Sequence, residues 1–194
     1  MTAGAWRAGD GTAVPFREAT IAWALAAHTE LAETATGYGH FVTVNELAER
    51  VQETSGVHTK APTRTWMDAI LRKVARRCHS AGEPPLSALC VRQNHTVGDA
   101  YKYVLELAGL PIPDDLELHA AYARWQCYQF YGAQIPADGG VPPLTPKVAA
   151  KRRMTMGKAA AAPVPEPDPE PVRAPVCSDC FTQLPANGVC FYCA

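Results

Sequence analysis

The chain has 194 residues, 47% apolar and 19% charged, with 17 prolines, 7 cysteines and a formal net charge of −1. That length suits one main domain with appendages, and no apolar run approaches the roughly 18 residues of a membrane-crossing helix, so a membrane partner is excluded. Near-neutral charge decides nothing about a polyanionic partner, because screening confines the relevant field to about 10 Å, and the charge here is unevenly distributed. Residues 56–110 carry eight basic and four acidic side chains, and residues 147–176 carry six basic and three acidic.

Residues 1–15 read as a flexible N-terminus. They lack the charged start and apolar run of a secretory signal, so a reducing, cytoplasmic location is expected. Residues 16–34 read as a helix with its apolar positions at Ile21, Trp23, Ala24, Leu25, His28 and Leu31, ended by Gly37 and Gly39. His28 reads as a core or boundary histidine. After a short β-prone step at Phe41-Val-Thr43, the run Thr43-Val-Asn-Glu46 has the form of a capping box. It opens a helix over 44–53 that turns Val44, Leu47, Ala48 and Val51 inward and closes at Ser55-Gly56.

A third helix is predicted over 65–80. Trp66, Met67, Ile70, Leu71, Val74 and Cys78 recur at spacings of three and four, with Arg72, Lys73, Arg76 and Arg77 on or beside the opposite face. Residues 86–92 read as a strand and Gln93-Asn-His95 as a turn. Two further helices are expected, over 99–108 and from the Asp114-Asp-Leu-Glu117 cap to about 131. The last carries Leu116, Ala120, Ala123, Cys127 and Phe130 on one side and Leu118, Tyr122 and Trp125 on another. Apolar residues on two sides imply deep burial or a protein partner over 114–131.

Helix, short strand, helix, connection, basic helix, strand and turn is the element order of a winged helix-turn-helix. The run Gly37-Tyr-Gly-His-Phe-Val-Thr-Val-Asn-Glu-Leu-Ala48 resembles the start of many such domains. A looser similarity extends to the helical DNA-binding domain of alkylguanine DNA alkyltransferases, which carry a reactive Pro-Cys-His-Arg. Here the comparable stretch is Pro84-Pro-Leu-Ser-Ala-Leu-Cys-Val-Arg92, so alkyl transfer is not implied. The resemblance implies a winged-helix-like domain over 16–132 that binds double-stranded DNA. Arg64 and Thr65 would approach base edges, Arg72, Lys73, Arg76 and Arg77 would meet phosphates, and Arg92 and His95 would lie at the wing. An amphipathic helix with a solvated basic face gives the same pattern without DNA.

Ten of the prolines fall between residues 133 and 176. This segment reads as a tether with polyproline II character at 163–171. Its start carries Lys147, Lys151, Arg152, Arg153 and Lys158, a basic arm suited to added phosphate contacts or to solubility alone. Residues 177–194 contain Cys177-Ser-Asp-Cys180 and Cys190-Phe-Tyr-Cys193 with nine residues between the pairs. Four thiolates at this spacing suit one structural Zn²⁺, whose binding would fold a segment too short to bury a core. Two disulfides, or a redox-active pair, are the alternatives. The segment resembles the small zinc ribbons at the ends of many prokaryotic proteins, which contact nucleic acid or protein.

Cys78-His79, Cys90 and His95 fit no zinc spacing, and the two cysteines fall at core positions. No phosphate loop, nucleophile elbow, zinc-protease motif or dinucleotide turn is present. The chain therefore reads as a mainly α, non-enzymatic DNA-binding regulator or accessory protein. The alternative is an adaptor or inhibitor whose winged helix and zinc ribbon bind proteins.

Overall fold

Trp23 lies at the centre of a bundle built on α1 (Phe16–Ala35), in a computed structural model that describes residues 4–160 and the side chains of residues 4–155. Its indole nitrogen donates to the Val57 carbonyl at 2.7 Å, and its ring lies 4.5 Å from that of Trp66. Both rings are buried, and side chains of this size dominate the energetics of a core. Around α1 pack α2 (Val44–Ser55), α3 (Met67–Ala81) and α5 (Leu116–Phe130), while α4 (Asp99–Leu107) lies along α3.

α1 does not bury the face its larger apolar residues suggest. Ile21 and Leu25 are 50% and 53% exposed, whereas Ala19, Ala26, Ala27, Thr34 and Ala35 are buried with Trp23 and Leu31. Small side chains let α2 and α3 approach closely, and Trp23 fills the space that remains.

The capping box is present at α2. Thr43 Oγ1 accepts from the Glu46 amide at 3.4 Å, and the Glu46 carboxylate accepts from the Thr43 amide at 2.7 Å. Gly56 ends the helix at φ 63°, and Gly82 ends α3 at φ 68°. Both are left-handed positions that glycine adopts without a Cβ penalty.

The N-terminal segment, expected to be flexible, instead pairs. β1 (Ala5–Arg7) is antiparallel both to β2 (Ala13–Val14) and to β4 (Val57–Thr59), placing Trp6 opposite His58. β3 (Val42–Thr43) runs parallel to β5 (Cys90–Val91). The strand expected over 86–92 is shorter than that. Leu86–Leu89 forms a 3-10 turn with all four residues buried, leaving Cys90 and Val91 extended. An apolar run without alternation has no solvent side to keep it a half-buried strand.

Between α2 and α3, residues 56–66 include β4 and a 3-10 turn at Thr63–Thr65. This is longer than the roughly 3–4-residue turn of a tight helix-turn-helix. Beyond β5 the expected turn is present. The His95 amide donates to the Arg92 carbonyl and the Arg92 amide to the Thr96 carbonyl, each at 2.8 Å. Val97 then bridges back antiparallel to Val91.

Part of the expected tether is helical: α6 spans Pro146–Ala160. Proline is pre-organised for a first helical position, and Lys-Val-Ala-Ala-Lys-Arg-Arg-Met after it is composed mostly of strong helix formers. Val148 and the preceding Thr145 are buried, so the start of α6 rests on the body. The proline-alternating stretch and the four ribbon cysteines, Cys177, Cys180, Cys190 and Cys193, lie outside the described residues.

Candidate functional site

The basic residues picked out in the sequence separate into two groups. The first belongs to α3 and the turn before it. Arg64 and Thr65 are exposed, but the Thr65 hydroxyl is committed to the Pro62 carbonyl at 2.7 Å. Arg72 is tied down twice. Its Nε donates to Asp68 Oδ2 at 2.8 Å, and its guanidinium lies 4.8 Å from the centre of the Tyr103 ring on α4. The Asp68 hydrogen bond and charge raise the Arg72 pKa further above its ordinary value. Lys73 is half-buried, Arg76 and Arg77 are exposed, and none of the three makes an ion pair among the described residues.

The second group is assembled by the fold from residues about fifty positions apart. The Thr145 hydroxyl donates to the His95 carbonyl, and Lys147 Nζ donates to the Gln93 carbonyl, both at 2.8 Å. These bonds fasten the start of α6 to the turn holding Arg92 and His95. Arg92 pairs with Asp99 at 2.8 Å, and Lys102 reaches the same carboxylate at 3.0 Å. Lys102 first, then Arg92, holds Asp99 below the usual carboxylate range. Arg152 pairs with Asp115, the residue capping α5, while Lys151 and Arg153 are exposed. His95 adopts φ 65°, and its ring stacks edge-on against Phe41 at 5.1 Å. Its imidazole thus packs against the residue that precedes β3. Lys147 belongs to the basic arm of the sequence, but nothing local to it signals the Gln93 partner.

Along α3, a groove of about 350 Å³ opens between α3, α4 and α5. Cys78, Glu83, Tyr101, Leu105, His119 and Tyr122 are among its walls. Tyr101 and His119 Nδ1 lie 2.8 Å apart, and burial raises the Tyr101 phenol above its ordinary range. Behind the groove, His28 Nε2 meets Glu83 Oε2 at 2.9 Å, and the Tyr131 hydroxyl donates to the same oxygen at 3.1 Å. His28 and its partner are 55 positions apart, a pairing that no local pattern signals.

Cys78, His79, Cys90 and His95, weighed above as a second metal set, do not come together among the described residues. Cys90 is fully enclosed and its thiol is pushed up to about 12 by burial, leaving it protonated and without nucleophilic character at neutral pH. Beneath the second cluster, Arg124 is only 1% exposed, and its guanidinium donates to the carbonyls of Ala88 at 3.2 Å and Pro143 at 3.3 Å. It is a strut that joins α5 to the 3-10 turn and to the approach to α6.

Comparison with protein-family models, with curated proteins and with solved structures returned no match for this chain. Function must therefore be argued from the sites themselves. No helix among the described residues is long and apolar enough to cross a membrane.

Proposed function

We propose that this chain is a non-enzymatic, winged-helix-like DNA-binding regulator or accessory protein of the cytoplasm. The observation that carries the reading is the docking of α6 on the 92–96 turn through Thr145 and Lys147. It sets α6, which carries Lys147, Lys151 and Arg153, against the turn that follows Arg92, a residue remote from them in sequence. Lys147 and Lys151 are four apart on α6 and so share a face. Lys73, Arg76 and Arg77 on α3 supply a second set of cations. In this reading Cys177, Cys180, Cys190 and Cys193 hold one structural Zn²⁺, and the ribbon adds a contact whose tethering raises joint affinity.

The test is a salt titration of binding to mixed-sequence duplex DNA. The intact chain is expected to bind, with log K falling linearly as log salt rises. Replacing Lys73, Arg76 and Arg77 with Gln, or Lys151 and Arg153 with Gln, should flatten that slope by about 0.9 for each phosphate no longer neutralised. Helical content should not change. Absence of salt-dependent binding by the intact chain at low salt would overturn the reading.

One observation favours a protein-binding adaptor as the second reading. Leu110 and Tyr122, at the mouth of the groove, are each more than half exposed, and Ile112 beside Leu110 is more exposed still. Exposed apolar side chains around a groove are a common feature of protein-contact surfaces.

A further inference from the structure

We propose that His28, Cys78 and Glu83 form a binding site for one divalent transition-metal ion, Zn²⁺ by ligand chemistry. The site is distinct from the cysteines at 177–193 and independent of the DNA-binding reading. The imidazole, thiol and carboxylate donor atoms all lie within 4.8 Å of one another. Around zinc, with bonds of about 2.0–2.3 Å, ligand atoms at tetrahedral angles stand roughly 3.3–3.8 Å apart. The His28–Glu83 pair, at 2.9 Å, has to open slightly to reach that range, and no donor pair exceeds 4.8 Å.

The backbone fixes two of the three ligands. Cys78 is in the last turn of α3 and Glu83 follows the helix end, where the Glu83 amide donates to the Cys78 carbonyl at 2.9 Å through the left-handed Gly82. His28 approaches from the middle of α1, a helix packed along α3. Tyr131, at the end of α5, donates to Glu83 and orients its carboxylate, as outer partners of metal ligands commonly do. Cys78 is 1% exposed, while the His28 and Glu83 side chains are partly accessible.

A nitrogen, a sulfur and an oxygen donor together suit zinc better than calcium or magnesium, which take oxygen. On binding, the Cys78 thiol gives up its proton to solvent, the proton that His28 Nε2 shares with Glu83 leaves that nitrogen for solvent or for Nδ1, and the His28–Glu83 hydrogen bond is exchanged for two metal bonds. Three protein ligands leave a fourth position open. Cys78 and Glu83 both line the groove, so a water or a ligand's donor atom in the groove can fill that position.

The experiment uses the full chain with Cys177, Cys180, Cys190 and Cys193 replaced by Ser, so that they cannot report. Co²⁺ is the probe, followed by competition with Zn²⁺. One Co²⁺ per chain is expected, with a thiolate-to-cobalt charge-transfer band in the near ultraviolet that Zn²⁺ abolishes. His28→Gln and Glu83→Gln should each weaken Co²⁺ binding by about tenfold or more, with unchanged circular dichroism, and Cys78→Ser should erase the charge-transfer band. No thiolate band in the parent protein, or a band that survives Cys78→Ser, would overturn the site. If Cys78→Ser does not fold, His28→Gln decides, because its partly exposed side chain can be replaced without opening the core; undiminished affinity in that variant overturns the site equally.

Discussion

α3 and α6 are both basic helices, yet different forces hold them. α3 buries Met67, Ile70, Leu71, Val74, Ala75 and Cys78 against α1, α4 and the 3-10 turn. The large apolar side chains among these contribute about 1.5–3 kcal/mol each. α6 buries Val148 among its described side chains, and two hydrogen bonds to the 92–96 turn secure its start. Such bonds are worth only about 1 kcal/mol apiece. Lys73, Arg76 and Arg77 are therefore presented by a rigid element. The cations of α6 ride on one with few anchors, which is expected to open before the rest of the fold. Under the proposed DNA binding, a rigid surface would meet a fixed phosphate geometry, and a more weakly held one would adapt its reach and respond to salt and pH.

The strongest way to break this contrast is Ile70→Ala. Ile70 is fully buried on α3, and the truncation should cost about 2–5 kcal/mol. Urea denaturation should show one cooperative transition at a lower midpoint. A loss below about 1 kcal/mol would mean that α3 is not anchored by its apolar face.

A smaller and local effect is expected from Thr145→Val combined with Lys147→Gln. Removing both bonds should cost about 1–3 kcal/mol, felt as faster amide exchange in α6 while α3 amides stay protected. Unfolding of the whole body by this pair would erase the distinction between the two helices.

The same contrast governs what can be read from sequence. The apolar face of α3, the capping box at Thr43 and Glu46, the glycine helix ends and the turn at residues 93–95 are all legible, because each is set by residues within a few positions of one another. The pattern of α1 misleads in part, since its interface is lined by alanines that weigh little in an apolar pattern while Ile21 and Leu25 face solvent. On α5, Leu118 and Tyr122 are exposed, and so is Phe130, which shares a side with the buried Ala120, Ala123 and Cys127. Arg124 takes a core position there, which polarity alone argues against. α6 carries no continuous apolar stripe, and β1 spans three residues, too few to show a period. The His28–Glu83–Tyr131 network and the α6 clasp are long-range, so no window of sequence contains them.

The subtlest effect is expected from pH, at the one described ion pair that ties α6 to α5. Asp115 caps α5 by accepting from the Leu118 amide, and it pairs with Arg152 of α6. The Leu118 hydrogen bond first, and Arg152 second, hold its carboxyl below the usual carboxylate range. A depressed folded-state pKa means that the stabilisation is complete above the unfolded value and is lost as pH falls through the folded one. Acidification should therefore weaken the α5 cap and the α6 attachment together while leaving the α3 core intact. Arg152→Gln should move the Asp115 midpoint only part of the way back to its ordinary value, because the Leu118 amide remains. Carboxyl titration followed by NMR measures that midpoint directly. An unchanged midpoint in Arg152→Gln would show that Arg152 does not hold α6 to α5 in solution. The more weakly held helix would then be fastened at the 92–96 turn, with Asp115 serving α5 alone.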